Sequence, residues 1–237
     1  VTQPDTLETM ISDTTHILCY GDSTGIAVVT PSGGTSPYTY DWYDAPGSQT
    51  DSTATGLPSG TYNVEVTDGN GCTDTSTVTI TEPLEMILGS DSIPATCTGI
   101  CTGSAIVIPS GGVAPYSQNW YTIPNAYSDT LSGLCAGFYN VKVVDFNGCT
   151  DTLEVEVTEP VTVTAFAVDS IATTCNGGSD GWAVVGGSGG TEPYSYWWDD
   201  ELNQVNDTAV GLSTGIYKAA VTDFNGCNDT VEITINQ

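Results

Sequence analysis

Eight cysteines are the side chains of this 237-residue sequence with the most chemistry to offer. Clustered thiols bind zinc or run disulfide exchange, whereas widely spaced thiols in an oxidising compartment pair covalently. There is no Cys-x-x-Cys, and His16 is the single histidine, so a zinc or redox centre lacks its ligands. Six of the cysteines recur in register. Cys19, Cys97 and Cys175 stand 78 residues apart, and Cys72, Cys149 and Cys227 stand 77 and 78 apart. Two of the copies hold two cysteines each, which predicts the pairs Cys19–Cys72 and Cys175–Cys227. Equivalence then predicts Cys97–Cys149 and leaves Cys101–Cys135 as an additional bridge. Closing a loop of some 50 residues contributes about 4 kcal/mol in the chain-entropy view. Four strands between the partners would bring the main pair to one end of its copy. The same count puts Cys135 at the opposite end from Cys101. Disulfides of this kind place the protein outside the cytoplasm.

The remaining candidates are weaker. Asp68-Gly-Asn-Gly-Cys-Thr-Asp74 returns at 145–151 and 223–229 with Asp at both ends. Oxygen side chains at alternate positions make Asp68, Asp145 and Asp223 calcium candidates, though no bidentate Glu follows where a calcium loop needs one. Asn-Gly between alternating runs is also a strong hairpin signal. No other metal or cofactor is expected. His16 has no equivalent in the other copies and no Ser/Asp constellation around it, so no catalytic residue is proposed and an enzyme is not expected. Tyr38, Tyr40 and Trp42, with Tyr116, Trp120, Tyr194, Tyr196 and Trp198 in the later copies, form a same-face aromatic row. Such a row is either a sandwich core or a platform for stacking sugars. Tyr43, Tyr121 and Trp197 fall on the opposite face and are the candidates for exposed contact.

The elements that must hold these residues are read from the repeat. Cys19-Tyr-Gly-Asp-Ser-Thr-Gly-Ile-Ala-Val-Val-Thr-Pro-Ser-Gly-Gly returns from Cys97 and, more loosely, from Cys175. Three copies result: 1–83, 84–160 and 161–237. Within each the hydrophobic period is two, as where Tyr62, Val64 and Val66 alternate with Thr61, Asn63, Glu65 and Thr67. Six or seven short strands per copy predict an all-β chain of three immunoglobulin-like β-sandwich modules. Thr-Glu-Pro at 81–83 and 158–160 is the whole joint. Such short joints predict end-to-end stacking into a rod, at roughly 30–40 Å per module. Thr2-Gln3-Pro4 resembles the tail of a preceding copy, and the sequence stops at the same phase of the repeat. It therefore reads as a window from a longer array.

Charge narrows the partners. Lys142 and Lys218 are the only Lys or Arg against 29 acidic residues, for a formal net charge of −27. Two lysines cannot replace the counterions of a nucleic acid, and they cannot hold an anionic membrane surface. No apolar run reaches the 18 residues of a spanning helix. The expected partners are neighbouring repeats of the same chain, like filaments, or surface glycans.

Cys19 to Trp42 and Leu57 to Pro83 together carry a long pattern: Cys-x-Gly, Pro-Ser-Gly-Gly, Pro-Tyr-x-Tyr-x-Trp, Leu-Pro-Ser-Gly-Thr-Tyr and Asn-Gly-Cys. This pattern resembles the SprB repeat, and its counterparts run through all three copies. Gln118 replaces the second Tyr in the middle copy, and Gly186-Gly187 replaces Thr-Pro in the third. The resemblance implies extracellular, cell-surface proteins of gliding and related bacteria, in which the repeats form adhesin stalks. It implies neither an enzyme nor a particular ligand. It also gives meaning to the eleven places where Asp precedes Ser or Thr, since Asp-Ser/Thr-aliphatic is similar to an O-glycosylation motif of that bacterial group. The in-phase candidates are Ser52, Thr130 and Thr208, then Thr14, Ser92 and Ser170, then Thr152 and Thr230. Turn chemistry alone would also favour Asp beside Thr. The expected function is the shaft of an adhesin or surface filament; the alternative is a set of modules that each bind a glycan or calcium ion.

Overall fold

A computed structural model describes residues 4–121 and 126–237; Thr2 and Gln3 lie outside them. Every named element among the described residues is a β-strand. The first six are β1 (Glu8–Thr15), β2 (Gly25–Ser32), β3 (Thr39–Asp41), β4 (Thr53–Leu57), β5 (Gly60–Thr67) and β6 (Thr73–Ile80). They form two three-stranded sheets, β1-β2-β4 and β3-β5-β6. The next six are β7 (Ile87–Ile93), β8 (Gly103–Ser110), β9 (Ser117–Trp120), β10 (Thr130–Leu134), β11 (Gly137–Val144) and β12 (Thr150–Val157). The last six are β13 (Thr164–Ile171), β14 (Gly181–Ser188), β15 (Ser195–Trp198), β16 (Thr208–Leu212), β17 (Gly215–Thr222) and β18 (Asn228–Ile235). Both later sets repeat the strand order of the first.

Alternation explains why these segments are strands and which face each buries. In β5, Tyr62, Val64 and Val66 are buried, while their odd-numbered neighbours are at least partly exposed. Val78 and Ile80 of β6 and Ala27 and Val29 of β2 meet them from either side. Trp42 lies fully buried in the same cluster, and Trp198 occupies its place in the third copy, among Val185, Leu212, Ala219 and Val221. Burial leaves each indole N–H needing an acceptor, and a nearby backbone supplies one: Asp51 O at 2.9 Å for Trp42, Asn206 O at 2.9 Å for Trp198.

Contacts divide the chain into two compact units. One comprises Val1–Gly89, Ile108–Asn119 and Lys142–Leu153; the other comprises Ser90–Val107, Trp120–Val141 and Glu154–Gln237. The sequence of the middle copy is thus distributed between them.

Strand direction decides where the cysteines lie. β1 and β6 run the same way, since Thr9 bonds Asp74 near their starts and Ile17 N donates to Thr81 O near their ends. β2 and β5 run back against them. β3 is antiparallel to β5, and β4 is antiparallel to β2. Both therefore run in the β1 direction, and the chain changes sheets between them without reversing. Four strands separate Cys19 from Cys72, but they make only three passes. Cys72 lies in the β5–β6 turn at the end where β1 begins, the near end. Cys19 lies beyond β1 at the far end. A strand of eight residues, about 26 Å, stands between them.

The expected pairs Cys19–Cys72, Cys97–Cys149 and Cys175–Cys227 are therefore not formed. The disulfides are Cys19–Cys149, Cys97–Cys227 and Cys101–Cys135, while Cys72 and Cys175 are free and exposed. The parity that separates Cys19 from Cys72 also corrects the expectation for Cys101 and Cys135. Only β8 and the β9–β10 descent lie between these two, an even number of passes, so both fall at the far end.

Candidate functional site: the staple between successive copies

In the first unit the far end of the first copy meets the near-end turn of the next copy through Cys19–Cys149, with Cα atoms 5.6 Å apart. The turn is built around Asp145, whose side chain is buried. One carboxylate oxygen accepts the Cys149 N–H at 2.9 Å, and the other accepts the Val113 N–H at 2.9 Å. The cysteine is thereby held against the Ser-Gly-Gly loop. Asn147, of the Asn-Gly step, reaches from this turn to Leu18 O at 2.8 Å. From the other side, Glu82 of Thr-Glu-Pro accepts the Gly21 N–H at 2.7 Å and the Ser59 hydroxyl at 2.6 Å. These two donors hold the Glu82 carboxyl below its ordinary range, the serine contributing most. Glu82 fixes the loop carrying Cys19.

The second unit repeats the arrangement with Cys97–Cys227, again 5.6 Å between Cα atoms. Asp223 accepts Cys227 N–H and Thr191 N–H at 2.8 Å each, Asn225 reaches Thr96 O at 3.4 Å, and Glu159 accepts Gly99 N–H at 2.7 Å. Asp68 makes the same clamp on Cys72 and Thr35, with Asn70 N–H as a third donor. The Cys72 amide is the largest cause holding the Asp68 carboxyl below its ordinary value. For Asp223, burial alone would raise the value, and amides led by Thr191 and Cys227 outweigh it.

The three aspartates singled out for calcium thus direct both oxygens at backbone N–H donors. An array of amide hydrogens suits an anion and opposes a cation. Among the described residues no group of three His, Cys, Asp or Glu side chains is placed to hold a metal ion. His16 accepts the Thr81 N–H through Nδ1 at 3.1 Å, a joint-side backbone bond. Tyr38 and Tyr40 pack on the core beside Trp42, whereas Tyr43, Tyr121 and Trp197 are exposed.

The eight Asp-Ser/Thr candidates lie within strands or just before them. At Asp13-Thr14, Asp91-Ser92, Asp151-Thr152 and Asp169-Ser170 the Asp carboxylate accepts the N–H of the next residue at 2.7–2.8 Å. The ladder register shifts at Asp13 and at Asp169. At Asp207 the acceptor serves the Thr208 hydroxyl at 3.0 Å. Ser52, Thr130 and Thr208 stand just before or at the starts of β4, β10 and β16, and none of the eight candidates is buried.

The roles of Glu82 and Glu159 escape a reading based on chemically reactive types, although each precedes the proline of Thr-Glu-Pro and that recurrence marks them. The model of the SprB repeat family matches residues 11–47 and 173–203. These two segments are similar to the SprB repeat. The matched SprB segments include Cys19 and Cys175, one half of the staple, and exclude the turn cysteines Cys72, Cys149 and Cys227. No curated protein matches the sequence. Among solved structures, the chain is similar to the N-terminal eight Ig domains of Down syndrome cell adhesion molecule. Identity there is 13%, with 91% of this chain and 34% of that chain covered and a TM-score of 0.36. It is similar to sidekick-1 immunoglobulin domains 1–5 at 10% identity, covering 96% and 58%, with a TM-score of 0.40. A C-terminal fragment of intimin, in complex with the intimin-binding domain of its translocated receptor, is similar at 13% identity, covering 75% and 57%, with a TM-score of 0.32. The chain thus spans about a third to three fifths of the length of these structures.

Proposed function

We propose that this chain is a tension-bearing segment of an extracellular adhesin shaft, with copies stapled to one another rather than each closed on itself. The observation that carries this reading is the pairing Cys19–Cys149 and Cys97–Cys227. Each bond crosses from one copy to the next, so load passes between copies by sulfur as well as by Thr-Glu-Pro. The SprB repeat match supports a cell-surface setting, and persisting disulfides agree with an oxidising compartment.

The covalent path under load is short. It runs from the first residue to Cys19, crosses to Cys149, follows the chain back to Cys135, crosses to Cys101, continues back to Cys97 and crosses to Cys227. Its contour is roughly a fifth of that of the whole chain at ~3.4 Å per residue. Single-molecule stretching from both termini should therefore show the oxidised protein stopping near a fifth of the extension reached after reduction. Equal extensions would refute the load-bearing role.

The shaft also carries O-linked sugar in this proposal, on Ser52, Thr130 and Thr208 first. Their hydroxyls recur in phase and are not buried, and sugar beside β4, β10 and β16 would block edge pairing with other chains. Peptides holding Ser52, Thr130 and Thr208, cut from protein of the native source, should be heavier than their amino-acid sequences by the mass of a glycan; peptides of the bare mass would remove this part of the proposal.

A further inference from the structure

Gly186-Gly187 is where the third copy departs from the repeat pattern. A Cβ on Gly186 would lie 2.7 Å from Phe166 Cζ and 3.1 Å from Val168 Cγ2, so these two side chains close over bare backbone. The first copy has Thr30 at this place, and its hydroxyl donates to Ser12 Oγ at 2.8 Å. Further along β14, Trp182 stands in register between Ile171 of β13 and Val210 of β16. Ala183 and Val185 point into the core, so Trp182, Val184 and Gly186 lie on the outer side of the sheet. There Phe166, Val168, Ile171 and Val210 are exposed, and Trp182 and Val184 are half-buried. The first copy has Met10 and Ile26 where the third has Phe166 and Trp182, and the middle copy has Leu88 and Ser104. The sandwich therefore closes without an aromatic ring at either place.

We infer that the outer side of β13-β14-β16 binds a neutral oligosaccharide, stacked on Phe166 and Trp182. Area and charge select this occupant. Three strands ~4.8 Å apart and ~26 Å long offer roughly 370 Å², about half of what each partner gives to a standard protein interface. Exposed apolar patches of this size mark binding surfaces. A second copy of this chain would bring another −27 charge against the first. An anionic polysaccharide meets the same repulsion, and an uncharged sugar does not.

The chemistry of the surface fits such a ligand. Gly186, under Phe166, and Trp182 are four residues apart on β14, which sets the two rings about 13 Å apart along the strand, within reach of one short oligosaccharide. The C–H side of a sugar ring packs on an aromatic face, and its hydroxyls need polar partners. Asp169 pairs with Val184 in the row between the two rings, and one of its oxygens accepts the Ser170 N–H at 2.8 Å. The other oxygen would accept a sugar hydroxyl in a charge-assisted bond. This binding is independent of the load path through the disulfides.

The test is calorimetric titration of the full chain with cellohexaose, laminarihexaose, maltohexaose and chitohexaose. The protein is made without glycosylation, so that no sugar on Thr208, which is in register with Val184, competes for the surface. At least one of the four should bind. Trp182→Ile and Phe166→Met, each installing the first copy's residue, should weaken that binding about tenfold and leave denaturant unfolding unchanged. Tyr43→Ala should bind as the wild type does. Absence of binding by all four sugars, affinity unchanged in both Trp182→Ile and Phe166→Met, binding lost in Tyr43→Ala, or a wild-type dimer that Trp182→Ile dissociates would each overturn the inference.

Discussion

Asp68 shows how much one side chain does in this protein. It joins the Cys72 turn to the Thr35 loop through backbone donors on both oxygens. Its carboxyl is held below the ordinary carboxylate value, near 3.9 when unfolded. A group whose folded pKa is lowered contributes stability that is present above the unfolded value and lost as pH falls through the folded value. The clamp should therefore persist through pH 4 and open only in stronger acid. Hydrogen exchange at the Cys72 and Thr35 amides should accelerate below that point, and in Asp68→Asn it should be fast already at neutral pH. Unchanged protection in the variant would show that the turn needs no clamp. From the sequence, the hairpin was legible in Asn-Gly. The aspartate's target was not, because its second donor, in the Thr35 loop, is 33 residues distant.

At the scale of the strand, the alternation of β5 and β17 and the aromatic row read directly from the sequence, because side-chain period and burial are local. Trp198 lies fully buried among β14, β16 and β17 residues, and Tyr43 stands 56% exposed. Trp198→Ala should cost about 3–5 kcal/mol in denaturant unfolding, while Tyr43→Ala should stay within about 0.5 kcal/mol. Comparable losses at both positions would mean that the outward aromatics are structural. The cysteine pairing was not legible, for a reason of the same scale. Strands can be counted from turns and alternation, but β3 and β4 are one descent divided between two sheets, and nothing in residues 42–52 announces that the chain crosses without reversing. Gln49 completes the crossing: its side-chain amide accepts Thr55 N–H and donates to Thr55 O, standing in for a partner strand. Gln204 does the same for Val210. An error of one pass moved every main partner to the wrong end.

For the whole molecule, covalent connectivity matters more than any single contact. Cys19–Cys149 and Cys97–Cys227 each join residues 130 apart and overlap along the chain. Each closure stabilises by about 5 kcal/mol in the chain-entropy view. The overlap has another effect. A single peptide-bond cut anywhere between Cys19 and Cys227 leaves both fragments joined by at least one disulfide. A protease acting on an exposed loop therefore nicks the molecule without dividing it. After limited digestion, a non-reducing gel should keep a band near 24.6 kDa, and the reduced sample should fall into fragments. Release of fragments without reductant after one cut would contradict the overlap. In surroundings rich in secreted proteases, such a chain would remain one molecule after damage that severs an ordinary string of domains.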